Sequence, residues 1–80
     1  MENKKKYDEV FMTSFSITSD QLNSKLEYNS IPEWDSVGHM TMIAALEETF
    51  GIVFEMDDII DFSSYKVGKE ILKKYKVNIS

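Results

Sequence analysis

A chain of 80 residues without cysteine has the length of one small domain, so we expect neither a deep enzyme pocket nor a disulfide, a thiolate metal site or a cysteine nucleophile. Its formal net charge is −5, and this charge is segregated, because the interval between Leu26 and Tyr65 contains nine carboxylates and no lysine or arginine. Such an acidic stretch disfavours nucleic acid as a partner and favours basic protein surfaces.

The first predicted element is a helix from about Lys5 to Phe15. Apolar residues recur there at spacings of three and four and so share one face: Tyr7, Val10, Phe11 and Phe15. Residues 16–34 are rich in Ser, Thr, Asn and Asp, and Pro32 disfavours helical geometry at the residue before it. We therefore predict a long ordered loop, with at most one turn at Leu22 to Leu26 and with Ile31 and Trp34 as apolar anchors.

A second helix is predicted from Asp35 to Phe50. The Asp35 carboxylate suits the N-cap, and Gly51 supplies a C-terminal stop. At about 100° per residue, one stripe faces the core: His39, Met42, Ile43, Leu46 and Phe50. The opposite side carries an apolar ridge of Val37, Met40 and Ala44, bordered by Thr41, Glu47 and Glu48. Isolated surface apolar residues are common, so chance also explains the ridge.

Two further helices are predicted, a short one from Met56 to Phe62 and a last one that is capped by Ser63 or Ser64 and runs to about Tyr75. Gly68 lies on the inward face of the last helix, where close helix packing would offset its cost of about 1 kcal/mol. The predicted fold class is all-α, a bundle of three longer helices and one short helix with a long loop between the first two. The expected core is Phe11, Phe15, Leu46, Phe50, Ile59, Leu72 and Tyr75, and Met42 and Ile43 are expected to line an adaptable interior.

The dipeptide Asp35-Ser36 allows three interpretations. Both residue types are common where a loop becomes a helix, so the pair can simply begin the second helix. With His39 it also supplies the side chains of a hydrolytic triad, although no oxyanion donors or cleft can be identified. In the third interpretation Asp35 caps the turn and the Ser36 hydroxyl faces outward as an attachment point, where the helix N-terminus favours a phosphate diester.

The third interpretation agrees with a family resemblance. WDSVGHM, then AALEETFGI, then EMDDIIDF and finally SSYKVGKEIL resemble the acyl carrier proteins across about the last fifty residues. The resemblance implies that Ser36 carries 4′-phosphopantetheine, transferred from coenzyme A by a phosphopantetheinyl transferase that uses its own Mg²⁺. The terminal thiol would then hold acyl or aminoacyl groups as thioesters. A carrier of this kind is not itself an enzyme and has no catalytic or metal-binding residues of its own.

The same resemblance implies a docking face for basic partners, namely the transferase and the acyl-loading and acyl-processing enzymes. Its expected residues are Val37, Met40, Ala44, Glu47, Glu48, Asp57, Asp58 and Asp61. Val37 stands where leucine is usual, and Gly38, His39 and Thr41 stand where fatty-acid carriers often have acids. These departures leave open both fatty-acid synthesis and a specialised biosynthetic pathway. His39 is expected to be a hydrogen-bonded histidine at the edge of the core.

An unmodified acidic helical module that binds basic proteins is the alternative from another functional class. Both hypotheses predict an acidic face and salt-sensitive association, so covalent modification has to distinguish them. The sequence has no apolar run of membrane-spanning length, and its first residues, MENKKKYDEV, do not resemble a signal peptide. We expect a cytoplasmic monomer.

Overall fold

Four α-helices make up most of the computed structural model, which describes residues 2–79. They are α1 (Glu2–Phe15), α2 (Ser36–Phe50), α3 (Met56–Asp61) and α4 (Tyr65–Lys74). Within the described range there is no β-strand, and only an isolated bridge joins Glu27 to Ser64. The predicted all-α class, with three longer helices and one short one, is therefore confirmed.

The predicted long loop between α1 and α2 is confirmed in outline. A 3₁₀ helix at Ser19–Gln21 forms just before the predicted Leu22 to Leu26 turn. The loop is fastened to the α3–α4 connection, because Tyr28 N–H donates to the Ser63 carbonyl at 2.9 Å and Tyr65 N–H donates to the Leu26 carbonyl at 2.9 Å. These bonds hold the segment that leads into α2.

The core is centred on aromatic rings from α1 and from two non-helical positions. Trp34 precedes α2 and Phe62 follows α3, and both side chains are fully buried. Trp34 stacks on Phe15 with ring centroids 5.0 Å apart, and Phe62 stacks on Phe11 at 6.2 Å. Of the predicted core residues, Phe11, Phe15, Leu46 and Leu72 are buried as expected.

Three predicted core residues, Phe50, Ile59 and Tyr75, are only partly buried and pack against the core from its edge. Phe50 is the last residue of α2 and Ile59 lies on the short α3. Tyr75 is turned toward α3, where its hydroxyl oxygen accepts a hydrogen bond from Glu55 N–H at 2.9 Å. Helical periodicity correctly predicted that these side chains face the core, but it overestimated how completely they are buried.

Gly68 is required by close packing, as the sequence suggested. It is buried on α4, and a Cβ atom there would overlap the Phe62 ring and the Tyr7 hydroxyl. The Tyr7 hydroxyl donates a hydrogen bond of 2.6 Å to the Tyr65 carbonyl, so it cannot move away freely. The missing side chain therefore allows α1, α4 and the residue after α3 to meet.

Candidate functional site

The first turn of α2 presents Ser36 to solvent. Asp35 has extended backbone geometry, and its carboxylate accepts a hydrogen bond from Gly38 N–H at 2.8 Å. His39 N–H donates to the Asp35 carbonyl at 2.8 Å, which starts the helical ladder. Trp34 is fully buried just before this cap, whereas Ser36 is exposed. The chain therefore leaves the core at Trp34, and the predicted N-cap at Asp35 is confirmed.

Gly38 allows the preceding loop to press against this turn. A Cβ atom at Gly38 would overlap the carbonyl oxygen of Glu33 and would lie 3.4 Å from Asp35 Oδ1. Backbone atoms cannot rotate away as a flexible side chain can, so a larger residue would shift the loop or the cap. This contact gives a packing reason for glycine at a position where the resemblance predicts an acid.

His39 is bonded through both ring nitrogens. Trp34 Nε1–H donates to His39 Nδ1 at 2.9 Å, and His39 Nε2 lies 2.8 Å from the Ile59 carbonyl oxygen. An indole nitrogen only donates and a carbonyl only accepts, so the neutral imidazole with its proton on Nε2 satisfies both bonds. The expectation of a hydrogen-bonded histidine at the core edge is confirmed. A catalytic base for Ser36 would need a free ring nitrogen, so this arrangement gives no support to the triad interpretation.

An apolar groove opens beside Ser36, between α2 and α3. Its volume is about 420 Å³, within the range of small-molecule sites, although it is open along one side. Met40 of α2 and Met56 and Ile60 of α3 contribute apolar side chains to its lining. The complete lining is Tyr28, Ser36, His39, Met40, Met56, Ile59, Ile60, Phe62 and Ser63.

The exposed apolar surface around Ser36 is larger than the predicted ridge. Val37 is 74% exposed and Met40 is 51% exposed, and Ala44 is also exposed. The structure adds Val53 in the α2–α3 loop, and Met56 and Ile60 of α3, which also line the groove. Met56 and Ile60 are four residues apart in the sequence, a spacing that places them on one helical face. This spacing could have been used to predict that Met56 and Ile60 also form an exposed apolar surface.

Two carboxylates predicted for the docking face are engaged within the fold instead. Glu47 is half-buried, and one of its carboxylate oxygens accepts the Phe54 N–H at 2.9 Å, which fixes the loop after α2. Asp58 is only 3% exposed and accepts hydrogen bonds from Lys74 Nζ at 2.6 Å and from the Tyr75 hydroxyl at 2.5 Å. The assignment of Asp58 to an exposed acidic face was therefore wrong.

The partners of Asp58 also perturb its ionisation. The Lys74 ammonium, followed by the Tyr75 hydroxyl, holds the pKa of the Asp58 carboxyl below its usual value. The same contact raises the pKa of Lys74. Of the carboxylates predicted for the docking face, those of Glu48, Asp57 and Asp61 are exposed.

Taken together, the site offers an exposed hydroxyl on a capped helix N-terminus and an adjacent apolar groove. Across residues 2–79 no cluster of three or more histidine or carboxylate side chains is arranged to hold a metal ion. None of the helices in that range is long and apolar enough to cross a membrane. Comparison of the chain with protein-family models, with curated proteins and with solved structures finds no match.

Proposed function

We propose that this protein is an acyl carrier protein whose Ser36 is modified with 4′-phosphopantetheine. The observation that carries the proposal is the position of Ser36, which is exposed in the first turn of α2 while the buried Trp34 and the Asp35 cap fix the backbone before it. A transferase can reach a hydroxyl held in this way without unfolding the domain. The sequence pattern that resembles the acyl carrier proteins surrounds the same serine.

Two features around Ser36 support attachment of this group. Ser36 would hold it covalently, and the positive end of the α2 dipole would stabilise its phosphate. The groove that begins at Ser36 offers apolar surface from Met40, Met56 and Ile60 to what is attached there. When bound, the group supplies a thiol that carries acyl or aminoacyl groups as thioesters, in a chain that has no cysteine of its own.

Attachment requires Ser36 to act as a nucleophile. Ser36 Oγ attacks the β-phosphorus of coenzyme A, an Oγ–P bond forms as the pyrophosphate P–O bond breaks, adenosine 3′,5′-bisphosphate leaves, and the hydroxyl proton passes to a base of the transferase. Both ring nitrogens of His39 are hydrogen-bonded, so His39 does not activate the Ser36 hydroxyl. The carrier only positions this hydroxyl. The transferase and its Mg²⁺ supply the base and the charge neutralisation.

The exposed surface beside Ser36 suits a partner with an apolar contact and a basic rim. Val37, Met40 and Ala44 supply the apolar part on α2. Glu48 on α2 and Asp57 and Asp61 on α3 supply exposed negative charge. Complementary charges of this kind mainly raise the association rate, so docking of the transferase and of acyl-processing enzymes would weaken as salt increases.

The test is modification by a permissive transferase in the presence of coenzyme A and Mg²⁺. We expect the mass of one phosphopantetheine group on the wild type, located at Ser36 by fragmentation, and none on Ser36→Ala. Ser63 is also exposed and lines the same groove, so Ser63→Ala is the matched control and should be modified like the wild type. If several transferases leave the folded wild type unmodified, the unmodified acidic binding module becomes the preferred function.

A further inference from the structure

A further groove is lined by residues of α1, of the α1–α2 loop and of α4. Its volume is about 380 Å³, and it shares no lining residue with the groove beside Ser36. Three of its lining residues are lysines, namely Lys4 on α1 and Lys66 and Lys69 on α4. None of the described residues that line it is acidic. We call this surface the basic groove.

Lys66 and Lys69 have no carboxylate partner among residues 2–79. The ion pairs within that range are Lys4–Asp8, Lys73–Glu70 and Lys74–Asp58. Because Lys66 and Lys69 are three residues apart on α4, they are neighbours on the helix surface, where like charges repel each other. An external anion bound near both ammonium groups would relieve this repulsion.

Two of the three lysines are held in place by a hydrogen-bonded pair, Asp8 and Tyr65. The Tyr65 hydroxyl donates to one oxygen of the Asp8 carboxylate, and Lys4 Nζ lies 2.8 Å from the other oxygen. Lys69 Nζ lies over the buried Tyr65 ring, 4.6 Å from its centroid. Asp8 offsets the charge of Lys4, so the uncompensated charge of the basic groove is mainly that of Lys66 and Lys69.

The basic groove offers charge and little apolar surface. Its one large aliphatic lining residue, Leu22, is half-buried, and none of the large exposed apolar side chains of residues 2–79 lines it. A ligand is therefore held mainly through the ammonium groups, which are flexible point charges that pair with carboxylates in many orientations. Lys4 and Lys66 are exposed, so a small anion is not enclosed, whereas an extended segment can contact several lysines at once.

From these observations we propose that the basic groove binds an acidic segment of another protein, whose aspartate or glutamate side chains pair with Lys66 and Lys69. The two surfaces are complementary in charge. A nucleic acid fits less well, because a net charge of −5 repels a long polyanion, whereas a short acidic segment only has to contact the groove. The proposal does not depend on the carrier function, and a protein bound in the basic groove leaves the groove beside Ser36 uncovered.

Titration with hexaglutamate, followed in amide ¹⁵N–¹H spectra at low ionic strength, tests the location of binding. We expect saturable shifts concentrated at residues 22–24 and 65–69, which include the lining of the basic groove. Residues 36–40 and 56–60 should change little, and added salt should reverse the shifts because it screens exposed charges. Shifts spread evenly over all lysine-containing segments, or no saturable shift, would overturn the proposal.

A pair of double variants tests the two uncompensated lysines. Lys66→Gln with Lys69→Gln should raise the dissociation constant for hexaglutamate about fivefold or more, because it removes the charges that the segment pairs with. Lys73→Gln with Lys76→Gln is the matched control, since it removes the same charge from exposed positions outside the basic groove, and it should change the constant less than about twofold. Equal weakening by both double variants would show that hexaglutamate responds only to net charge and would overturn the proposal.

Two other anions distinguish an acidic segment from other ligands of the basic groove. Inorganic phosphate and poly(dT), a long single-stranded polyanion, are both expected to bind more weakly than hexaglutamate at the same ionic strength. Tighter binding of phosphate would identify a small-anion site, and tighter binding of poly(dT) a nucleic-acid site, and either result would overturn the proposal. Ser36→Ala should bind hexaglutamate as the wild type does, so this result is independent of whether Ser36 is modified.

Discussion

The environment of the Asp58 carboxylate is set by residues that are distant in the sequence. Asp57 and Asp61 are close to it in the sequence, but its carboxylate bonds to Lys74 and Tyr75 from the end of α4. Because these contacts lower its pKa, they stabilise the fold above the ordinary carboxyl pKa of about 3.9. That contribution is lost as the pH falls through the lower pKa of the folded state.

Asp58→Asn is therefore expected to destabilise the protein at neutral pH and to matter less in acid. Urea unfolding of both proteins from about pH 7 to pH 2 measures the difference, and the two stability curves should converge below about pH 4. Asp57→Asn is the matched control, since Asp57 is exposed in the same turn, and it should lie near the wild type throughout. A gap between Asp58→Asn and the wild type that does not change with pH would contradict this account.

Gly38 gives a second prediction about a single residue. Gly38→Ala should cost about 1–3 kcal/mol, because the added methyl overlaps a backbone carbonyl. Gly51→Ala is a useful comparison, since Gly51 has φ +64° with no atom within 4 Å of a new Cβ, and its cost of about 1–2 kcal/mol comes from backbone conformation alone. Only Gly38→Ala should also slow modification of Ser36. Equal modification rates at equal folded fractions would show that the Glu33–Gly38 contact does not position the serine.

At the level of the elements, α3 depends on its neighbours. A helix of six residues is too short to persist alone in water. It is fastened to α2 by the His39 bond to the Ile59 carbonyl, and to α4 by the bonds of Asp58 and by the Glu55 N–H bond to Tyr75. The position of α3, which forms one side of the groove beside Ser36, therefore depends on these hydrogen bonds.

Tyr75→Phe should loosen α3 selectively, because it removes the hydroxyl that bonds both Asp58 and Glu55. We expect faster amide hydrogen exchange at Ile59 and Phe62, whose N–H groups bond to the Glu55 and Asp58 carbonyls. Glu55 and Asp58 have no bond to Tyr28 among those that hold α3, so Tyr28→Phe, which removes a hydroxyl from an exposed tyrosine on the loop before α2, is the control. Unchanged exchange in α3, or an equal increase in α1, would contradict a local role for Tyr75.

The elements also show what could be predicted from the sequence. The caps at Asp35 and Ser64 follow from side chains that bond backbone N–H groups within three residues, so local pattern was sufficient. Trp34 lies outside the helices, so helical periodicity could not assign it to the centre of the core. Phe62 was placed at the end of the predicted third helix, but α3 ends one residue earlier. Asp58 and Glu47 were assigned to the surface because their partners lie 16 and 7 residues away, beyond the reach of a local pattern.

At the level of the whole molecule, α2 and α3 carry both exposed apolar residues and exposed carboxylates. Lysines occur only at positions 4–25 and 66–76 of the sequence, whereas Glu48, Asp57 and Asp61 are exposed on α2 and α3 between them. Glu48→Lys should slow modification at low ionic strength without unfolding the domain, since steering by exposed charge is screened over about 10 Å at 0.1 M salt. Glu9→Lys makes the same charge change on exposed α1 and should have a much smaller effect. Equal modification rates for Glu48→Lys and Glu9→Lys would show that Glu48 does not take part in docking.

The central claim, that Ser36 is a phosphopantetheine attachment site, is tested most directly by the intact mass of the protein purified from the cells that produce it. The account predicts a species heavier by one phosphopantetheine group, with the added mass on the peptide that contains Ser36. After hydroxylamine treatment this species should take up one equivalent of iodoacetamide, although the chain has no cysteine. A protein of unmodified mass from cells with an active transferase, or the same group found on another serine, would contradict the account.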